Sequence, residues 1–85
     1  MPNTLAEAVR QKIHDGSLPV DDPLKVWAGI GSGNPCASCE EPILRVQTEY
    51  EVMYYDERPS IRLHVACYGL WEAERHRRRS KGLSY

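Results

Sequence analysis

Four residues at two equal spacings limit the folds open to this chain more than any other feature. Cys36 and Cys39 are separated by two residues, and His64 and Cys67 repeat that separation after 24 intervening residues. Thiolate sulfur and imidazole nitrogen are the ligands of closed tetrahedral zinc sites. The chain has three cysteines, an odd number that cannot all pair as disulfides within one molecule. The pattern therefore predicts one structural Zn²⁺ ion bound by these four side chains.

The local sequence around each half of this pattern favours the same interpretation. The first pair follows a segment rich in glycine, residues 29–35, where a tight turn can direct both sulfurs at one ion. The second pair has the offset that places two side chains on one face at the start of a helix. The alternatives are unrelated buried or free cysteines, or a thioredoxin-like redox pair, which the absence of a βαβ pattern disfavours. Iron in the same four-ligand site stays open, although zinc is its usual occupant.

The first residues predict an N-terminal helix over residues 4–16. Thr4 and Glu7 have the spacing of a capping box, in which both side chains satisfy free N–H groups. An apolar stripe recurs every four residues and consists of Leu5, Val9 and Ile13. Gly16 suits the left-handed residue that ends many helices.

The remaining segments predict a small α+β domain built around the metal ligands. They are a connector at 17–35, strands at 43–47 and 50–55, a turn at 56–60, a return strand at 61–63, a helix at 65–79 and a frayed tail at 80–85. We expect residues 1–85 to form a single domain, with residues 36–79 as its zinc-binding core. The predicted hydrophobic core consists of Leu5, Val9, Ile13, Trp27, Ile43, Val52, Ile61, Leu63, Leu70 and Trp71.

The ligand order resembles that of treble-clef zinc fingers. In that fold a knuckle carries Cys-x-x-Cys, a β-hairpin follows, and a helix supplies the last ligands. The first zinc site of LIM domains and the poly(ADP-ribose) polymerase-type finger use the same order. The LIM resemblance covers only half of that domain, because no cysteine follows Cys67 to build a second site. The sequence around the ligands is also similar to short bacterial stand-alone proteins.

Charge is distributed unevenly along the chain. Residues 1–74 carry a net charge of −6, whereas residues 75–85 contain five basic residues and no acidic one. The basic residues of this run are Arg75, Arg77, Arg78, Arg79 and Lys81. Such a run is suited to an acidic partner or to the phosphates of a nucleic acid.

These features together favour a non-enzymatic interaction module. Four protein ligands leave no open metal position, and no histidine lies between Cys39 and His64 to serve hydrolytic chemistry. We expect a protein-binding adaptor or regulator, with nucleic-acid binding through the basic run as the alternative. No membrane association and no small-molecule substrate are expected. The first residues lack a basic and apolar leader pattern, so we expect a cytoplasmic protein.

Overall fold

A computed structural model describes residues 4–82, with side chains described as far as Arg79. Two helices and a three-stranded antiparallel sheet follow in the order α1 (Leu5–His14), β1 (Lys25–Ile30), β2 (Thr48–Met53), β3 (Ile61–His64) and α2 (Val65–Gly82). The fold class is therefore small α+β, as the sequence predicts.

The predicted N-terminal helix is confirmed as α1. Its first turn is capped by Thr4, whose hydroxyl accepts a hydrogen bond from the Glu7 N–H at 3.1 Å. Gly16 follows the helix with φ of +87°, the left-handed conformation that glycine adopts without a steric penalty. Val9 and Ile13 are buried, but Leu5 was wrongly predicted to be core. Leu5 is exposed because its turn borders an open groove beside Cys39.

The sheet has the order β1-β2-β3, with β2 in the centre. Tyr50 pairs with Leu63 across one side of β2 and with Ala28 across the other. Val52 and Leu63 are fully buried on the sheet face that α2 covers, and Tyr50 stacks on Tyr68 of α2 with ring centroids 4.4 Å apart. The alternation predicted for residues 50–55 is therefore confirmed on the core side of the sheet.

Two expectations about the strands are wrong. The connector predicted for residues 17–35 contains β1, and Trp27 in that strand is 56% exposed instead of buried. Residues 43–47 do not form a strand, because Leu44 and Gln47 close a turn through a 2.8 Å backbone hydrogen bond. Pairing with β2 creates β1, and five of its six residues are exposed. Such a strand shows no alternation of buried and exposed residues that the sequence could reveal.

Trp71 anchors α2 in the core. Its side chain is fully buried, and its Nε1–H donates to the carbonyl oxygen of Pro19 at 2.9 Å. That bond holds the segment after α1 against α2 and buries Leu18, which the sequence analysis did not assign to the core. The other confirmed core residues are Val9, Ile13, Ile43, Val52 and Leu63, with Ile61 and Leu70 partly buried.

The second helix is longer than the sequence predicts. It continues past Arg79 to Gly82, where the sequence analysis placed the start of a frayed tail. The remainder of that predicted tail, residues 83–85, lies outside the described residues.

Candidate metal centre

The four predicted ligands converge where β3 meets α2. Cys36 and Cys39 lie in the loop that precedes β2, which we call the knuckle (residues 35–42). His64 is the last residue of β3, and Cys67 lies in the first turn of α2. The junction between a strand and a helix thus places the second pair of ligands, while a turn places the first.

The four ligand atoms form a compact group. One atom from each side chain, three sulfurs and one imidazole nitrogen, lies within 4.8 Å of the other three. Sγ of Cys39 is 3.3 Å from Nδ1 of His64. In a tetrahedral zinc site with Zn–S bonds of about 2.3 Å, neighbouring ligand atoms are roughly 3.5–3.8 Å apart. The group is therefore close to the size that one such ion requires, and the donor set fits zinc.

The imidazole of His64 is oriented by the knuckle itself. Its Nε2 lies 3.2 Å from the carbonyl oxygen of Pro42. A carbonyl oxygen only accepts, so this contact favours the tautomer with the proton on Nε2, which leaves the Nδ1 lone pair for a metal ion. The sequence analysis did not identify Pro42 as a supporting residue, because a backbone carbonyl leaves no signal in side-chain patterns.

Backbone hydrogen bonds shape the knuckle. The Glu40 N–H donates to the Cys36 carbonyl at 3.0 Å, and the Cys36 N–H donates to the Glu41 carbonyl at 2.9 Å. Glu40 has φ of +70°, a left-handed conformation that is uncommon for a residue other than glycine. The Ala37 N–H donates to the Arg62 carbonyl at 2.8 Å, which fastens the knuckle to β3. The two Cys-x-x-Cys sulfurs are thereby held next to His64.

The thiols differ in their tendency to ionise. Burial opposes ionisation of Cys36, but the backbone N–H groups of Cys39, His64 and Ser38 outweigh it and lower the pKa of Cys36 to about 7. Burial and the nearby Cys36 thiolate raise the pKa of Cys67 to about 12. Burial also raises the pKa of Cys39. One thiolate therefore forms readily, whereas two further thiolates beside it call for a cation to offset their charge.

Exposure is uneven across the centre. Cys36 and Cys67 are each 1% exposed, whereas Cys39 and His64 are half-buried. A groove of about 560 Å³ runs along the half-buried side and includes Leu5 and Val65 in its walls. A metal ion here would have protein on most sides and one edge near the surface.

The four arginines of the basic run lie close together, and each forms a salt bridge within the described part of the chain. Arg75 and Arg79 both bond to Asp22, and Arg77 and Arg78 both bond to Glu74. The Arg75 guanidinium also lies over the Trp71 ring, 4.2 Å from its centroid, and only 6% of the residue is exposed. The side chain of Lys81 lies outside the described part of the chain.

The carboxylates that pair with the basic run were not anticipated as a group. Glu74 precedes Arg77 and Arg78 by one helical turn, a spacing that the sequence does display. Asp22, by contrast, is 53 residues from Arg75 in the chain, so only the tertiary fold could bring them together.

The chain matches no protein-family model, no curated protein and no solved structure. Its class is therefore defined by the structure alone: a small α+β domain with a Cys₃His cluster compatible with a zinc site. Among the described residues, no helix has both the length and the apolar composition needed to cross a membrane.

Proposed function

We propose that this chain binds one structural Zn²⁺ ion in a treble-clef arrangement and acts as a non-enzymatic module that binds another protein. The observation that carries the proposal is the approach of three sulfurs and one imidazole nitrogen to within 4.8 Å of one another. The ligands are Cys36, Cys39, His64 and Cys67. The knuckle, the end of β3 and the first turn of α2 would supply them, and this succession supports the proposed treble-clef arrangement.

A structural role for zinc follows from the number of ligands. Catalytic zinc sites usually have three protein ligands and keep a fourth position for water or substrate. The full set of four protein ligands here leaves no such position. The ion would instead join the knuckle to β3 and α2 and so add stability to a chain with a modest core.

Charge pairing favours a protein partner over a nucleic acid. Clustered arginines bind a phosphate backbone by displacing the cations condensed on it, which requires guanidinium groups that are free to contact the phosphates. In this chain Arg77 and Arg78 already share Glu74, and Arg75 and Arg79 share Asp22. A nucleic acid would have to compete with these carboxylates at every described arginine of the run.

Metal content is the direct test of the zinc site. We expect elemental mass spectrometry of the purified protein to find one zinc ion per chain, and chelation to abolish the circular dichroism of the folded state. A protein that folds fully without metal would overturn the structural role. Iron in place of zinc would keep the site and change only its occupant.

A titration with fluorescently labelled DNA and RNA separates the two partner classes. We expect the zinc-loaded protein to show no salt-sensitive binding by fluorescence anisotropy. Binding that weakens steeply with salt and disappears in an Arg77→Ala, Arg78→Ala double variant would establish the nucleic-acid alternative. Glu74→Gln is the opposite test, because it removes the carboxylate that pairs with Arg77 and Arg78 and should strengthen any nucleic-acid binding through them.

A further inference from the structure

Strand β1 is held by one neighbour only. Among the helices and strands that the structure describes, it contacts β2 and no other. Five of its six residues are exposed, including Trp27 at 56% and, at its end, Ile30 at 74%. An exposed apolar edge strand is a template for pairing with a further strand, and proteins normally cover or block such edges.

The hydrogen-bonding groups on this edge can be assigned from the register. The Gly31 N–H donates to the Gln47 carbonyl at 2.9 Å, just beyond the pair Ile30 and Thr48. Hydrogen-bonded and non-hydrogen-bonded pairs alternate along an antiparallel ladder. The odd-numbered residues of β1 therefore bond to β2, and Val26, Ala28 and Ile30 direct their N–H and C=O groups away from the sheet. In the described part of the chain, no backbone bond from outside the sheet reaches these three residues.

The sequence of β1 is complementary to itself when two copies run antiparallel. A two-fold axis at Ala28 pairs Val26 with Ile30 of a second copy and Ala28 with its own counterpart. All of the outward groups on both edges then find partners. On the other face, Trp27 lies opposite Gly29 of the second copy, where the absence of a side chain leaves room for the indole. A Cβ placed on Gly29 meets no atom within 4 Å, so that side of the strand is open.

Charge favours the same arrangement. Lys25 is the only charged residue of β1. It pairs with Met53 of β2, and Trp27 and Gly29, which lie on the same face as Lys25, pair with Glu51 and Glu49. The antiparallel pairing sets the two Lys25 residues roughly 20 Å apart, at about 3.4 Å per residue. Each Lys25 then lies opposite Gly31 of the second copy, towards the Glu49 end of that copy's β2. A parallel pairing would instead place the two lysines side by side.

We propose that this edge binds a second copy of the chain, so that two three-stranded sheets join through β1 into one six-stranded antiparallel sheet. The contact is a single strand about 20 Å long. Pairing along one such strand buries less surface than the roughly 1,200–2,000 Å² typical of stable complexes. The dimer should therefore be reversible and dissociate on dilution. The proposal goes beyond the proposed function and does not depend on the identity of the metal.

Sedimentation velocity of the full chain, from about 1 to about 500 µM, tests the pairing. We expect the wild-type protein to shift from monomer to dimer over this range. Ala28→Lys and Ala28→Glu each place two like charges opposite one another at the two-fold axis, and should weaken self-association about fivefold or more. An equal mixture of the two variants should restore the dimer, because lysine then faces glutamate.

Ala28→Thr is the matched control, since it keeps the backbone N–H, adds no charge and should dimerise like the wild type. Zinc content and thermal midpoint, measured for every variant, distinguish a lost interface from a lost fold. A wild-type protein that stays monomeric across the range would overturn the proposal. So would charged variants that dimerise as the wild type does, or a mixture that fails to recover the dimer.

Discussion

At the residue scale, Cys39 provides the most direct test of the metal centre. It is half-buried, and its Sγ lies 3.3 Å from His64 Nδ1. Cys39→Ser replaces a thiolate with a hydroxyl that binds zinc poorly. We expect loss of the bound zinc and of about 4 kcal/mol or more of folding free energy, enough to unfold the C-terminal half. Elemental analysis and thermal unfolding measure the two effects.

Ser38→Ala is the control for that substitution, because it changes the adjacent residue of the same turn. Ser38 is 1% exposed, and its Oγ has no hydrogen-bond partner in the described structure. Removing a buried hydroxyl without a partner should leave stability unchanged or slightly improved, with zinc retained. Native stability and full zinc content in Cys39→Ser would falsify the assignment of Cys39 as a ligand.

Gly31 offers a second prediction at this scale, because the main chain of the next segment lies against it. A Cβ on Gly31 would lie 1.9 Å from the carbonyl oxygen of Leu44, and backbone atoms cannot move aside cheaply. Gly31→Ala should therefore lower the free energy of unfolding by about 3 kcal/mol, the upper end for overpacking. Gly29→Ala, two residues earlier and facing open space, should change it little. If chemical denaturation showed the same loss of unfolding free energy for Gly31→Ala and Gly29→Ala, this explanation would be contradicted.

At the element scale, Trp71 fixes the position of α2 in the core. The indole is fully buried and bonds to Pro19, which ties α2 to the segment after α1. Trp71→Phe removes that donor, leaves the carbonyl of Pro19 without it and opens space in the core. We expect a loss of about 1–3 kcal/mol in thermal or urea unfolding.

Trp27 allows the same substitution to be made at an exposed site. Trp27→Phe should change the free energy of unfolding of the dilute monomer by no more than about 0.5 kcal/mol, since Trp27 is 56% exposed. If Trp27→Phe and Trp71→Phe lowered the free energy of unfolding equally, Trp27 would pack against the core in a way that its exposure in this structure contradicts.

At the scale of the whole molecule, metal binding is coupled to proton release. In the metal-free fold Cys67 has a pKa of about 12 and the pKa of Cys39 is raised, so both carry protons at pH 7. Cys36, with a pKa of about 7, is only partly protonated at that pH. Zinc binds all three as thiolates, so about two to three protons leave on binding. An unfolded metal-free chain, with ordinary thiol pKa values, would release at least as many.

The sign of the pH dependence follows from this release. Because protons compete with zinc, the apparent affinity should rise with pH, by roughly 100-fold to 1,000-fold per unit near neutrality for two to three protons released. Calorimetry in two buffers with different ionisation enthalpies counts the protons, and chelator competition at pH 6.5 and 7.5 gives the slope. Binding without proton release would exclude the thiols as ligands.

The sequence alone determined the parts of this protein that depend on short-range patterns. Capping and apolar spacing identified α1, and the two short ligand spacings identified four residues that the fold does bring together. Such features are visible because the interacting residues lie within one or two turns of each other, or because zinc accepts so few residue types.

Only the tertiary structure decided the rest, because it depends on residues far apart in the chain. Strand β1 exists through pairing with β2, and with five exposed residues it gives no periodic signal. Arg75 and Arg79 of the basic run form salt bridges with Asp22, more than 50 residues earlier in the chain, and Arg77 forms one with Glu74. Trp27 and Trp71 are chemically identical, yet one lies on an edge strand and the other in the core. Long-range contacts decide burial and charge pairing, and the local pattern of a sequence does not contain them.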